Sequence, residues 1–65
     1  MVKHPEIKVK LVGENSNAFN ILSICGEAMR KAKLPPSELN AFYKEATKGD
    51  YNHLLATCAD WFIVE

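Results

Sequence analysis

From position 7 the chain reads IKVKLV, in which Ile7, Val9 and Leu11 alternate with Lys8 and Lys10. A period of two predicts a half-buried strand over residues 7–12 with both lysines facing water. Pro5 precedes the run, where its missing donor does little harm. The turn formers GENSN, residues 13–17, close it.

At Asn17 the period changes to 3.6. Ala18, Leu22, Cys25 and Met29 fall on one stripe, with Ile21, Ala28 and Ala32 beside it, which predicts a first helix over 17–33 capped by Asn17 or Ser16. Arg30, Lys31 and Lys33 suit the negative end of its dipole. Gly26 in mid-helix points to the close approach of another element. Phe19 and Ile24 fall away from the stripe. A second helix is predicted over 36–48: Pro35 caps it, Pro36 takes the first position, Glu38 the third, and Leu34 with Leu39 forms a hydrophobic staple. Leu39, Phe42, Tyr43 and Ala46 make its buried face, and Gly49 is read as its left-handed stop. Asp50 then caps a third helix over 50–61 with Tyr51, Leu54, Leu55, Cys58, Trp61 and Phe62 inward and His53 off the stripe. The last residues, 62–65, read as a short strand pairing with the first; the competing reading continues the helix to the end. The expected fold class is therefore α+β, one domain over 1–65.

With 65 residues, 48% hydrophobic and 25% charged, the chain is long enough for one small core and not for a large enclosed site. So small a core leaves a stability margin of about 3–5 kcal/mol, which association would raise. The eight basic and eight acidic residues balance. They are unevenly placed: residues 1–33 hold six basic against three acidic, a net of +3, and residues 34–65 two against five, a net of −3. Nothing approaches the apolar length of a membrane span or the core of a signal peptide. Two cysteines are too few for a disulfide scaffold, so the expected location is cytoplasmic, with no membrane partner.

The chemistry-bearing letters lack catalytic spacing. Cys25, Cys58, His4 and His53 show no pair that would place metal ligands on one turn, and no metal or cofactor is expected. Both cysteines sit on apolar stripes, which favours buried thiols over a nucleophile or a disulfide. Residues 13–17, between a strand and a helix start, could attract an anion, but a lone glycine there reads as turn and cap. An enzyme built on Asp50, Tyr51 and His53 is the weakest reading, and no catalytic residue is assigned.

The runs VKLVGENSNAFNIL and EATKGDYNHLLATCADWF resemble a family of short bacterial and phage-encoded proteins of uncharacterised function. The resemblance covers nearly the whole chain from Ile7 onward. It implies a common fold and a small stand-alone cytoplasmic protein, with a chain end that alternates like a strand. It brings no activity, cofactor or partner.

What remains after caps and core is surface. The leading expectation is a non-enzymatic protein-interaction or adaptor domain using Phe19, Ile24, Phe62, Ile63 and Val64, whose partner is a second copy or another protein. The alternative is a nucleic-acid-binding accessory protein using Lys3, Lys8, Lys10, Arg30, Lys31 and Lys33.

Overall fold

A computed structural model of the chain describes residues 2–11 and 17–65. The order is β1 (Lys8–Val9), α1 (Ala18–Lys31), α2 (Pro36–Ala46), α3 (Tyr51–Trp61) and β2 (Ile63–Val64), the predicted α+β arrangement. The end of the predicted first strand at Val12, the turn at 13–16 and the alternative cap Ser16 lie outside the described residues.

The two strands pair in parallel, Lys8 with Ile63 and Val9 with Val64. Backbone bonds carry the pairing beyond the strand limits: Ile63 N–H donates to Ile7 C=O at 3.0 Å, Glu65 N–H to Val9 C=O at 2.8 Å and Leu11 N–H to Glu65 C=O at 2.9 Å. Helix α3 therefore does not run on to the end. Phe62 turns to φ −135, its N–H still bonded to Cys58 C=O, and the chain leaves as a strand. The orphan carbonyls at the end of α3 are met by the N-terminal segment: Lys3 N–H donates to Asp60 C=O at 2.8 Å and His4 N–H to Trp61 C=O at 2.7 Å.

The helix starts follow their local chemistry. Asn17 Oδ1 accepts from Phe19 N–H at 2.8 Å, and Asp50 Oδ1 from His53 N–H at 2.9 Å. Pro35 caps α2 with Pro36 at its first position. The stops differ from expectation. Helix α1 ends two residues early, at Lys31, in a Schellman motif: Leu34 N–H bonds Met29 C=O and Lys33 N–H bonds Arg30 C=O. Lys33 takes the left-handed position, φ 62. Helix α2 ends at Ala46, where Thr47 Oγ1 donates back to Tyr43 C=O at 2.6 Å. Gly49 is not left-handed; a β-carbon there would lie 2.9 Å from His53 Cβ, so glycine is kept for room and not for φ.

A lysine in the left-handed region carries a cost that glycine does not. Lys33→Gly is expected to stabilise the fold by about 0.5–1 kcal/mol. Lys33→Ala, which removes the same charge but keeps a β-carbon, should show no such gain. Thermal midpoints of the two variants decide, and equal midpoints would place the origin in charge instead of φ.

The core joins β1, the three helices and Phe62, which leads into β2. Ile7 and Val9 from the sheet side meet Ile21, Cys25 and Met29 of α1, Phe42 and Ala46 of α2, and Leu54, Cys58, Trp61 and Phe62. It contains an aromatic cluster: Phe42 lies 5.4 Å from Trp61 at 70° and 5.3 Å from Phe62, measured between ring centroids. The buried stripe of α3 is Leu54, Thr57, Cys58 and Trp61. It is rotated from the predicted one, for Tyr51 and Leu55 are 40% and 36% exposed. Thr57 tolerates burial because its hydroxyl donates to His53 C=O at 2.8 Å.

Candidate interaction groove

Parallel pairing uses only one edge of β1. The groups bonded toward β2 belong to Ile7, Val9 and Leu11. Along an extended strand, alternate residues direct N–H and C=O to opposite edges, so the N–H and C=O of Lys8 and Lys10 face outward. Among the described residues none bonds that outer edge.

Beside the open edge runs helix α1. The space between them is a groove of about 430 Å³, open to solvent and lined by residues 6–10 of the strand segment and by Ile24, Glu27, Ala28, Lys31 and Ala32 of the helix and its cap. Ile24 and Ala28 are half-buried and packed against the core. They flank the groove as a partly covered apolar ledge next to unpaired backbone. The charges are mixed. Glu6 Oε2 stands 3.5 Å from His4 Nδ1, and Glu27 lies four residues before Lys31 on the helix, the favourable order for a compensating pair. Lys8 and Lys10 are exposed and take part in none of the ion pairs among the described residues.

The sequence-predicted interaction residues are dispersed. Ile24 lines the groove. Phe62 is 1% exposed, at the centre of the aromatic cluster, and offers nothing to a partner; the turn out of α3 that frees the strand buries its ring. Ile63 is half-buried and Val64 exposed on β2. Phe19 is 79% exposed and lies away from the groove, over a shallow apolar depression shared with Ala18, Leu22, Ala46, Tyr51 and Leu54.

Of the six basic residues, Lys8, Lys10 and Lys31 share the groove, while Arg30 and Lys33 are exposed near the end of α1. Lys3 is diverted: its Nζ sits 4.1 Å from the centre of the Trp61 ring, a cation–π contact.

The residues considered for chemistry are also placed apart. Asp50 is occupied as a cap, and Tyr51 lines the Phe19 depression. His53 instead ties α3 to α2, its Nε2–H divided between Glu45 C=O at 2.9 Å and Glu45 Oε2 at 3.0 Å. His4 covers the aromatic cluster, 5.8 Å from Trp61 and 6.2 Å from Phe62 between ring centroids, and its Nε2–H donates to Glu38 Oε1 at 3.0 Å. Cys25 and Cys58 meet in the core with their sulfurs 3.6 Å apart, as free thiols. The hydrogen bond to Cys58, with burial adding to it, pushes the Cys25 thiol far above its ordinary range. The same bond lowers Cys58 while burial opposes it. Both side chains are fully buried, so resistance to losing a proton is the direction that governs the pair. Among the described residues no three His, Cys, Asp or Glu side chains gather as a metal-holding group.

Glu27 and Ala28 have no part in the sequence reading of the site. Their spacing from Ile24 and Lys31 was visible, but only the packing of α1 beside β1 turns it into a wall. Comparison with protein-family models, curated proteins and solved structures finds no match to the chain, so the assignment rests on this geometry.

Proposed function

We propose that the protein is a non-enzymatic interaction domain that binds another polypeptide in the groove between β1 and α1. The observation that carries this reading is the outer edge of β1, which no described residue bonds, beside the half-buried Ile24 and Ala28. Two strands make a sheet of marginal stability on their own, and a third strengthens it. An exposed strand edge is also a ready-made template for main-chain recognition by an extended segment.

A second reading, nucleic-acid binding, is favoured by the placing of Lys8, Lys10 and Lys31 in one groove. Glu6 and Glu27 in the same lining oppose it. No helix among the described residues is long and apolar enough to cross a membrane.

Capture of partners from cells that make the protein, with and without nuclease, separates the two readings. The variant Lys10→Pro is the control, because it removes an outward N–H without touching a bond to β2. A polypeptide that survives nuclease and is lost with Lys10→Pro is the expected result. Retention of nucleic acid alone, with affinity falling steeply as salt rises, would replace this reading by the second.

A further inference from the structure

Resting on that reading, we propose that the occupant of the groove is an extended segment of another protein in which acidic and apolar residues alternate. It adds to β1 as a third strand. The main-chain part of this assignment comes from the outward N–H and C=O groups of Lys8 and Lys10. Side-chain preference follows from the alternation of the sheet. Residues of an added strand on the solvent face stand beside the exposed Lys8 and Lys10 side chains, and opposite charges across strands are favourable there. Residues on the inner face point toward α1, where Ile24 and Ala28 offer half-buried apolar contact.

Charge also separates this occupant from a second copy of the chain. Two β1 edges paired antiparallel about a two-fold axis would set the lysines at 8 and 10 against those of the other copy. Like charges directly opposite one another destabilise a sheet, and lysines on an edge strand are a common guard against self-pairing. Among the described residues the two lysines take part in no ion pair; of the acidic residues lining the groove, Glu6 Oε2 stands 3.5 Å from His4 Nδ1, and Glu27 lies on the helix wall, four residues before Lys31.

The test uses a short capped peptide alternating valine and glutamate, titrated into the intact protein with amide exchange followed residue by residue. Exchange at Lys8 and Lys10 is expected to slow on binding, with the amides of Ile63 and Glu65 staying protected as a check on the native sheet. A valine–lysine peptide should bind about tenfold more weakly or worse, and the Lys8→Glu/Lys10→Glu variant should reverse that preference. Peptides N-methylated on alternate residues test the backbone pairing: one alternate set should abolish binding and the other spare it. Which set does so gives the direction of the added strand. Unchanged exchange at Lys8 and Lys10, equal binding of both charge types or equal damage from both methylation sets would overturn the proposal. Protection of Lys8 and Lys10 that grows with protein concentration and needs no peptide would overturn it too, by identifying a second copy as the occupant. Were the peptide to fail while Lys10→Pro still released a captured polypeptide, only the strand chemistry would be wrong; loss of both results would remove the interaction reading itself.

Discussion

Phe42→Ala is expected to leave the chain unfolded at room temperature. Phe42 has no exposed surface and is in ring contact with Tyr43, Trp61 and Phe62, so it holds α2 against α3 and against the entry to β2. Truncating a buried phenylalanine to alanine costs about 3–5 kcal/mol. A single small core of this length has about that much stability in all. Phe42→Leu keeps most of the volume and should remain folded with a lowered melting midpoint. Leu55→Ala, on the corrected outer side of α3, should change stability by less than about 1 kcal/mol. Near-ultraviolet circular dichroism, which reads the packed aromatic rings, and thermal unfolding of the three variants check the ranking. A folded Phe42→Ala with a near-native midpoint would show that the aromatic cluster is not what joins α2 to α3.

The same residues show where the sequence was informative. Helix starts were legible at Asn17, Pro35–Pro36 and Asp50 because capping is local: a side-chain oxygen or a ring-locked φ acts within three residues. The pairing of the two chain ends was legible because alternating Ile7, Val9 and Leu11 needed a partner, and the final residues had strand-forming side chains. Helix stops were harder to place. Leu34 packs on the core, and Lys33 accepts a left-handed backbone in the turn that puts it there, a position for which glycine is the usual mark. Gly49, which carried that mark, is small for the sake of His53.

On α3, hydrophobicity pointed to Tyr51 and Leu55, whereas the neighbours chose Thr57, whose polarity is met within the helix itself. The groove was the least legible feature. Ile24 stood out as an apolar residue off its stripe, but its use depends on α1 lying alongside β1, whose outer edge no described residue bonds. That is a tertiary fact with no local signature. The half-burial of Ile24 also shows why one apolar stripe was too simple for α1, which covers the inner side of the sheet with one face and meets α2 and α3 with another.

Gly26 supplies the second large expected effect, as a coupling between two helices. A β-carbon at this buried position of α1 would overlap the Tyr43 hydroxyl of α2 and lie 3.2 Å from the ring carbon Cζ. Alanine in mid-helix is worth about 1 kcal/mol over glycine, and overpacking costs about 1–3 kcal/mol. The tyrosine ring is half-buried and packs edge-on against Phe42 at 5.8 Å between ring centroids, which restrains it from moving aside. Gly26→Ala alone is therefore expected to destabilise by about 1–2 kcal/mol net. Tyr43→Phe removes the overlapping oxygen but leaves the tight 3.2 Å approach to Cζ, so in that background Gly26→Ala should recover a large part of the loss. Urea unfolding midpoints of the wild type, both single variants and the double variant close the cycle. A coupling of about 1 kcal/mol or more in the rescuing direction is the expected result. Additive effects would mean that the Tyr43 hydroxyl does not lie over Gly26, and that α1 and α2 approach through some other contact.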